Sequence, residues 1–559
     1  MKENKITNQP SNLHNQGISR RIYIYLIPLG VILLIAGIFI GRKLLPHRYV
    51  VSQKQILLSS EGKVPLLLDL IQNNYVDKLS ADSIEEIALV NILRELDPHS
   101  EYLPPQQNQS EHEQLEGSFE GIGIRFNIME DTVLIINVIS GGPSEKAGVL
   151  PGDKIVKVND TLFAGNGITN EKVFRKLKGK KGSTVHLGIK RHGVKELLDF
   201  QLKREKIPIN SVDVAYMATP EIGYIKISRF GQETYFEFLD AVEKLQTEGM
   251  QKLVLDLRDN GGGYLRAAVN IVDEFLPEGE LIVYMQGEQR EKESFFASEN
   301  NVLKDLSAVV LINSWSASAS EIVAGALQDN DRATIIGRRS FGKGLVQEEF
   351  PLSDNSGIRL TVARYYTPSG RCIQKPYNKG VKQYELEVFA RSSEGELIHA
   401  DSTKFADSLK YTTRNGRIVY GGGGIMPDVF VPVDTLYYSP MLDQILKKSL
   451  LFKYGLNYAD THRERLKEMS DYQHIESYLD RDGMEHKFKK YITQNGIAFN
   501  AKDYKTSRKY ILTRLKATIA SNILDSEGFY PIIRSVDSDL QKAISVLNNS
   551  KEPKKQPEN

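Results

Sequence analysis

The chain has 559 residues, 41% of them hydrophobic, which is enough for two to four separately packed domains. Its 72 basic and 71 acidic residues leave a net charge of +1, so the balance gives no support for nucleic-acid binding or for a strongly charged substrate. The single cysteine, Cys372, excludes an intramolecular disulfide.

The N-terminal region contains a candidate membrane anchor. Residues 22–41 carry no charged side chain, are long enough to cross about 30 Å of hydrocarbon, and are flanked on both sides by basic pairs. A cleaved signal peptide would have a shorter apolar core and a small-residue cleavage site, and no such site precedes Arg42. We therefore expect a transmembrane helix over 22–41 in contact with the lipid bilayer. Positive charge at both ends leaves its orientation undecided.

Residues 52–105 are predicted to form helices. They are followed by the segment Gly117-Ser-Phe-Glu-Gly-Ile-Gly-Ile-Arg-Phe126 and later by the run Ala147-Gly-Val-Leu-Pro-Gly-Asp153. On these two segments, residues 115–205 resemble a PDZ domain. The backbone N–H groups of a short loop can turn toward a peptide carboxylate, and the following strand edge can pair with an extended peptide. The loop residues are Gly121, Ile122, Gly123 and Ile124. The expected partners are the C-terminal tails of proteins.

Residues 208–434 alternate apolar strands with helices, which predicts an α/β domain. A buried strand over 253–257 runs into three consecutive glycines, where bare backbone can approach a ligand closely. A helix is predicted to start within Ser316-Ala-Ser-Ala-Ser320, so that free N–H groups lie beside Ser318. Two further strands are expected over 333–337 and 344–350.

Ser318 and Lys343 are the candidate nucleophile and base. No histidine occurs between His192 and His399, so an imidazole base cannot come from inside this block. A lysine serves only when it is neutral. Lowering its pKa from about 10.4 by roughly 3 units costs about 4 kcal/mol, so it must lie in a stiff and largely apolar wall.

Three further groups complete the candidate site. Gln347 is four residues after Lys343, so the two side chains share a face if both are extended, and its amide oxygen could hold the lysine amine. The backbone N–H of Ala319, at the start of the helix, is one candidate donor to an oxyanion. The second is the N–H of either Gly262 or Gly263.

Each of these features also has an ordinary structural explanation. Ser/Ala runs usually cap helices, a Gly-Lys-Gly turn is usually solvated, and three glycines after a strand usually form a turn or a phosphate loop. No Gly-Lys-Ser/Thr follows the glycines, which weighs against the phosphate loop. It is the combination and the order of the features that favour catalysis.

The chain resembles the carboxyl-terminal processing proteases, also called tail-specific proteases. The matching segments follow one another in family order between about residues 60 and 430: Leu96-Asp-Pro-His-Ser-Glu-Tyr-Leu103, Leu255-Asp-Leu-Arg-Asp-Asn-Gly-Gly-Gly-Tyr-Leu265, Ser316-Ala-Ser-Ala-Ser-Glu-Ile-Val-Ala-Gly-Ala326, Gly337-Arg-Arg-Ser-Phe-Gly-Lys-Gly-Leu-Val-Gln347, Leu360-Thr-Val-Ala-Arg-Tyr-Tyr-Thr-Pro-Ser-Gly-Arg371 and Gly422-Gly-Gly-Ile-Met-Pro-Asp428. The resemblance implies a crotonase-like α/β protease core with a Ser318/Lys343 dyad supported by Gln347. It also implies a cytoplasmic tail over 1–21 and an extracytoplasmic body. Trp315 departs from the family, which usually has glycine there.

Residues 435–550 are predicted to be helical, with helices over 440–451, 503–523 and 536–547, and residues 551–559 to be a disordered tail. Packing, dimerisation and gating of substrate access are open as roles for this region. No cluster of His, Cys, Asp and Glu has the spacing of metal ligands, so we expect neither metal nor cofactor.

Together these features predict a multidomain α/β protein that is a single-pass serine endopeptidase of the inner (cytoplasmic) membrane with its catalytic body in the periplasm. It would capture protein tails through the PDZ domain and cut near them. Two other classes stay open. One is a non-proteolytic PDZ scaffold, which hydrolysis of an unfolded protein would exclude. The other is a crotonase-like acyl enzyme, since strand–glycine–helix oxyanion holes also serve thioester chemistry. Assembly into a homo-oligomer is also open.

Overall fold

The computed structural model describes residues 62–299, 301–399 and 406–549. The tail predicted over 1–21, the transmembrane helix predicted over 22–41 and the disordered tail predicted over 551–559 lie outside these residues. Within the described ranges, no helix combines the length and the apolar character needed to cross a membrane. The chain divides into two units, with the boundary between Glu85 and Glu86.

The first unit contains helix α1 (Lys63–Asn74) and the start of helix α2 (Ala81–Arg94). After α2 the second unit continues with strand β1 (Glu101–Leu103) and helix α3 (Pro105–Leu115). The helical prediction for 52–105 is wrong at its end, because β1 buries Tyr102 and Leu103 and pairs antiparallel with residues 357–359 of the α/β domain.

The PDZ-like region is a sheet in the order β3–β4–β5–β7–β8 around its own apolar core. Strand β3 is at an edge of this sheet, so one side of its backbone is available for pairing. Strands β2 and β9 pair with each other and bring the two ends of the region together. The elements are β2 (Ser118–Gly121), β3 (Ile124–Met129), β4 (Thr132–Val138), α4 (Pro143–Lys146), β5 (Lys154–Val158), β6 (Thr161–Leu162), α5 (Asn170–Leu177), β7 (Thr184–Lys190), β8 (Leu198–Lys203) and β9 (Glu205–Pro208).

The α/β domain is built on a six-stranded sheet in the order β10–β11–β12–β15–β16–β21, parallel except for the edge strand β10. Buried apolar runs such as Leu253–Leu255 form its central strands, as expected for a parallel sheet covered on both faces. The elements are β10 (Val212–Met217), β11 (Ile222–Ile227), α6 (Thr234–Thr247), β12 (Lys252–Asp256), α7 (Leu265–Asp273), β13 (Leu281–Gly287), β14 (Arg290–Phe296), β15 (Ser307–Ile312), α8 (Ala319–Asp329), β16 (Ala333–Gly337), β17 (Leu345–Pro351), β18 (Gly357–Tyr366), α9 (Val381–Ser393), β19 (Lys410–Thr412), β20 (Ile418–Tyr420) and β21 (Val429–Phe430).

Adjacency of β12 and β15 determines where the site forms. The two strands are parallel, with Asp256 opposite Leu311, so both leave the sheet at the same edge. The glycine loop follows β12 and the serine loop follows β15, which puts the two loops side by side at the carboxyl ends of the strands. Ligands bind at this edge of open α/β sheets as a general rule.

A second sheet, in the order β1–β18–β13–β14 with β17 paired to β18, carries Gln347. The sequence predicted a shared face for Lys343 and Gln347 if both were extended in one strand, and this condition is not met. Lys343 precedes β17, and the register of β17 shifts between Val346 and Gln347, so the two-residue alternation does not run unbroken between them.

The C-terminal region is helical as predicted, with different boundaries. The helix expected over 440–451 is two helices, because Ser449 adopts a left-handed conformation with φ 53° between them. The longest helix continues past 523 to Ile533 and is kinked at Asp525, where φ is 52°. The helices are α10 (Pro440–Lys447), α11 (Leu450–Thr461), α12 (Arg463–Lys467), α13 (Tyr472–Arg481), α14 (Met484–Gln494), α15 (Ala501–Ile533) and α16 (Ser538–Asn549).

Helix α16 returns to the α/β domain, so the boundary predicted at 434 omits part of that domain. Leu540, Ala543 and Leu547 are buried in one apolar cluster with residues of β12, β15 and β16. The Arg258 guanidinium also bonds Asp537, at 2.7 Å, and Asp539, at 3.0 Å. The same region reaches the PDZ-like domain, where Arg463 donates to the Pro151 carbonyl at 2.8 Å.

Candidate active site

Ser318 is the N-cap residue of α8, as the sequence predicted. Its φ of 56° and ψ of −113° are unusual for a residue with a side chain, and such strain is a frequent property of functional positions. Ser318 lines a cavity of about 490 Å³ together with Ala319, Gly263 and Gln347. The structure therefore brings four of the predicted site residues to one cavity.

The glycine loop after β12 packs directly against Ser318. A Cβ atom added to Gly262 would lie 2.8 Å from the Ser318 Cβ and 3.0 Å from the Ala319 nitrogen, so a side chain at 262 does not fit. At Gly263 an added Cβ would lie 2.1 Å from the Phe230 carbonyl oxygen. The N–H of Gly262 donates to Asn260 Oδ1 at 2.9 Å, whereas Gly263 is exposed in the cavity wall. The two glycines thus differ in the availability of their N–H groups.

Lys343 lies between β16 and β17 and is not among the residues that line this cavity. Burial is the main cause that lowers the pKa of Lys343 from 10.5 to about 8, and the Arg359 guanidinium lowers it further. The carboxylates of Glu101, Glu321 and Asp97 act in the opposite direction. Lys343 is therefore much closer to neutrality at physiological pH than an ordinary lysine.

Glu321 connects the two segments that carry Ser318 and Lys343. Its Oε2 accepts the backbone N–H of both residues, each at 2.9 Å. Its Oε1 accepts the Ser340 hydroxyl at 2.5 Å and the Gly342 N–H at 2.7 Å. Burial raises the pKa of Glu321 to about 7, although all four hydrogen bonds favour the charged form.

Tyr365 forms a second connection between the same two segments. Its hydroxyl lies 2.6 Å from the Lys343 carbonyl oxygen and 3.2 Å from that of Ser318. Glu321 and Tyr365 both lie within family-like segments of the sequence, but the sequence predicted no role for either. The bond from the Ser318 N–H to Glu321 could have been predicted, because a glutamate three residues after an N-cap serine is typical of a capping box. In a capping box the glutamate side chain accepts the backbone N–H of the N-cap residue.

Residues 97–101 belong to a family-like segment for which the sequence predicted no function. They lie next to Lys343. The Asp97 carboxylate accepts the Thr361 hydroxyl at 3.1 Å, and Thr361 Oγ1 accepts the Gln347 amide nitrogen at 3.2 Å. Burial, together with the positive charge of Lys343, lowers the pKa of His99 to about 3. His99 Nε2 is 2.8 Å from the Tyr384 hydroxyl. A neutral histidine is therefore near the site, although none occurs within the block around Ser318.

The predicted carboxylate loop lines a second cavity, of about 400 Å³, in the PDZ-like domain. Gly121, Ile122, Gly123 and Ile124 all contribute to its wall, as do Phe126 and Phe174. Lys178 lies in the same wall, where its ammonium is 5.2 Å from the centre of the Phe174 ring and pairs with Glu113 of α3. The pocket thus combines apolar walls, an available strand edge and a lysine–glutamate ion pair.

Comparison with known families gives matches to three parts of the chain. The sequence matches peptidase family S41 over residues 221–383 and a PDZ domain over residues 121–202. Residues 441–525 match a family of unknown function.

Curated relatives are similar over more than half of this chain. A carboxy-terminal-processing protease of Bartonella bacilliformis is 35% identical over 350 residues, covering 62% of this chain and 80% of the relative. The carboxy-terminal processing protease CtpB of Bacillus subtilis is 34% identical over 323 residues, covering 57% of this chain and 66% of the relative. Among solved structures, a photosystem II D1 C-terminal processing protease is 27% identical, covers 67% of this chain and 89% of its own, and has a TM-score of 0.34. The chain therefore belongs to peptidase family S41, with the carboxy-terminal processing proteases, and is a serine-type peptidase.

Proposed function

We propose that this protein is a membrane-anchored endopeptidase that cleaves proteins near their C-terminal tails with a Ser318/Lys343 dyad. The observation that carries the proposal is the Glu321 carboxylate, which holds the main chain of Ser318 in the cavity wall and that of Lys343, a lysine whose pKa is lowered to about 8. Neither a non-proteolytic scaffold nor a thioester enzyme requires a lysine held close to neutrality whose main chain shares a carboxylate acceptor with that of a strained serine.

The chemistry follows from the positions of these groups. Ser318 Oγ attacks the peptide carbonyl carbon while neutral Lys343 takes the hydroxyl proton, giving a tetrahedral oxyanion. Lys343 then gives a proton to the leaving amine, and water later hydrolyses the acyl-enzyme. The N–H groups of Ala319 and Gly263 stabilise the oxyanion. We favour Gly263 over Gly262 because the N–H of Gly262 is already bound by Asn260.

The pH dependence tests this assignment. We expect kcat on an unfolded protein to rise between pH 6 and 9, because Lys343 becomes neutral near pH 8. The Glu321 carboxylate raises the pKa of Lys343, so Glu321→Gln should shift the rise in kcat to lower pH. A flat profile, with chemistry shown to limit the rate, would exclude a titrating lysine base.

We further propose that the PDZ-like domain captures the C-terminal carboxylate of a substrate. Attack by a serine has no intrinsic preference for chain ends, so a preference for tails must come from another site. The loop from Gly121 to Ile124 can donate N–H groups to a carboxylate, and the edge of β3 can pair with the preceding residues. Lys178 lies in the same pocket, where it is paired with Glu113.

Amidating the tail of a substrate tests the capture of tails. Amidation removes the negative charge and one acceptor oxygen, so we expect KM to rise, or activation to slow, with little change in an already activated site. Deleting about residues 117–204 should abolish the difference between free and amidated tails. An undiminished preference for free carboxylates after the deletion would locate tail recognition in another part of the chain.

The membrane anchor and the periplasmic location are also proposals. They are supported by the uncharged stretch over 22–41 with basic flanks, in a chain of this family. The full chain should stay with the membrane fraction after an alkaline wash, and a chain lacking residues 1–44 should not. Release of the full chain by the wash would contradict an integral anchor.

A further inference from the structure

The Asp97 carboxylate is the acceptor end of a directed chain of hydrogen bonds. Its oxygens accept the backbone N–H groups of His99 and Ser100, at 2.8 and 2.9 Å, and the hydroxyls of Ser100 and Thr361, at 2.6 and 3.1 Å. An ionised carboxylate can only accept hydrogen bonds. The Thr361 hydroxyl must therefore donate its proton to Asp97.

This direction determines the orientation of the Gln347 amide. With its proton given to Asp97, Thr361 Oγ1 can only accept, so the group that faces it across 3.2 Å must be the amide nitrogen of Gln347. The two ends of an amide are otherwise nearly equivalent in shape and can exchange by a half-turn. The chain of bonds removes this freedom, and the amide oxygen faces away from Thr361.

We propose that Thr361 and Asp97 are positioning residues for the reaction, which fix the Gln347 amide with its oxygen available to the Lys343 amine. The inference rests on the proposed function, in which Gln347 orients Lys343. A reversed amide would present N–H groups to the lysine, where they would occupy the amine lone pair that must take the serine proton. Strand β1 and the turn before it are thus part of the catalytic apparatus, although they precede the PDZ-like domain in the chain.

Two features of the structure support a specific positioning role. Thr361 is opposite Gln347 in the pairing of β17 with β18, directly after the register shift that breaks the alternation of side chains. Glu101 of the same segment pairs with Arg359 at 3.0 Å, and Arg359 and Glu101 are among the charges that act on Lys343. The 97–101 segment therefore reaches both the lysine and the glutamine of the site.

The test compares Thr361→Val with Thr361→Ser in the full-length enzyme. Valine keeps the shape of threonine but removes the hydroxyl, so we expect kcat to fall about tenfold with KM unchanged, as for one lost hydrogen bond. Serine keeps the hydroxyl and should restore most of the lost rate. If Thr361 had a purely structural role, its replacement would not lower kcat while leaving KM unchanged. The loss of activity would also not depend on whether the hydroxyl is kept.

A double variant distinguishes failure of this inference from failure of the proposed function. If Thr361 acts through Gln347, the Thr361→Val/Gln347→Ala enzyme should be no slower than Gln347→Ala alone. Additive losses would overturn the inference, as would a wild-type rate for Thr361→Val when Gln347→Ala is impaired. Full activity of Gln347→Ala would overturn it too, but would leave the Ser318/Lys343 dyad standing, since only Ser318→Ala and Lys343→Ala test the dyad.

Discussion

Ser318→Ala and Lys343→Ala should each lower the rate of hydrolysis of an unfolded protein at least about a thousandfold, a loss of the size seen when one member of a catalytic unit is removed. In the proposed mechanism Ser318 forms the acyl-enzyme, and Lys343 is the base that takes the proton of the serine. The two losses should not multiply, because both residues act in the same step. We expect the double variant to be little slower than either single variant.

The stability of a Lys343 variant provides the control for folding. The pKa of Lys343 is lower in the folded chain than the ordinary 10.5, so the unfolded chain binds more protons between about pH 8 and 10.5. Burial of the charged lysine therefore lowers the free energy of unfolding by its full amount below pH 8, and this loss disappears as the pH rises to 10.5. Lys343→Met should be at least as stable as the wild type at pH 7, by a margin of no more than about 3 kcal/mol. Near-normal activity in either folded single variant would disprove the dyad.

Glu321→Ala should have the next largest effect, a loss of about a hundredfold in kcat. One carboxylate holds the main chain on both sides of the dyad, and its removal leaves three buried N–H groups and the Ser340 hydroxyl without that acceptor. Each unsatisfied buried group costs about 1–3 kcal/mol, and a shift of the nucleophile by about 1 Å can cost a hundredfold in rate. Steady-state kinetics should show the loss in kcat, with KM nearly unchanged.

Two conservative variants show whether positioning or folding is lost. Glutamine at 321 can still accept the N–H groups of Ser318 and Lys343 with its carbonyl oxygen, so Glu321→Gln should keep more activity than Glu321→Ala. Tyr365→Phe removes the other connection between the two segments and should cost less, because Glu321 remains. Equal activity of Glu321→Ala and wild type at pH 8 would refute the role of this carboxylate.

The parts of the site within continuous motifs could be predicted from the sequence. The apolar run before the glycines predicted strand β12, and the serine run predicted the start of α8 at Ser318. These features depend on local patterns of burial, turn formation and capping. The candidate donors Gly262 and Gly263 could not be separated, because the difference depends on a bond from Gly262 to Asn260 that no spacing rule predicts.

The parts that could not be predicted depend on contacts between distant residues. Strand β1 is three residues long, which is too short to show the alternation of apolar and polar residues typical of a strand. Its Glu101 accepts a hydrogen bond from Arg359, which lies 258 residues later in the sequence. The role of Glu321 toward Lys343 likewise depends on how α8 meets the loop before β17. The break at Ser449 was missed because serine gives no warning of a left-handed conformation.

Helix α16 has a consequence for the order in which the enzyme becomes complete during synthesis. Arg258, beside the glycine loop, has partners 279 and 281 residues later in the chain, at Asp537 and Asp539. At about 5–20 residues per second, the ribosome needs roughly 15 to 60 s to reach them. Until then the sheet lacks the apolar cover that Leu540, Ala543 and Leu547 provide. The peptidase core is therefore completed only after most of its own chain has been made. An earlier completed core could attack that chain while it is still unfolded.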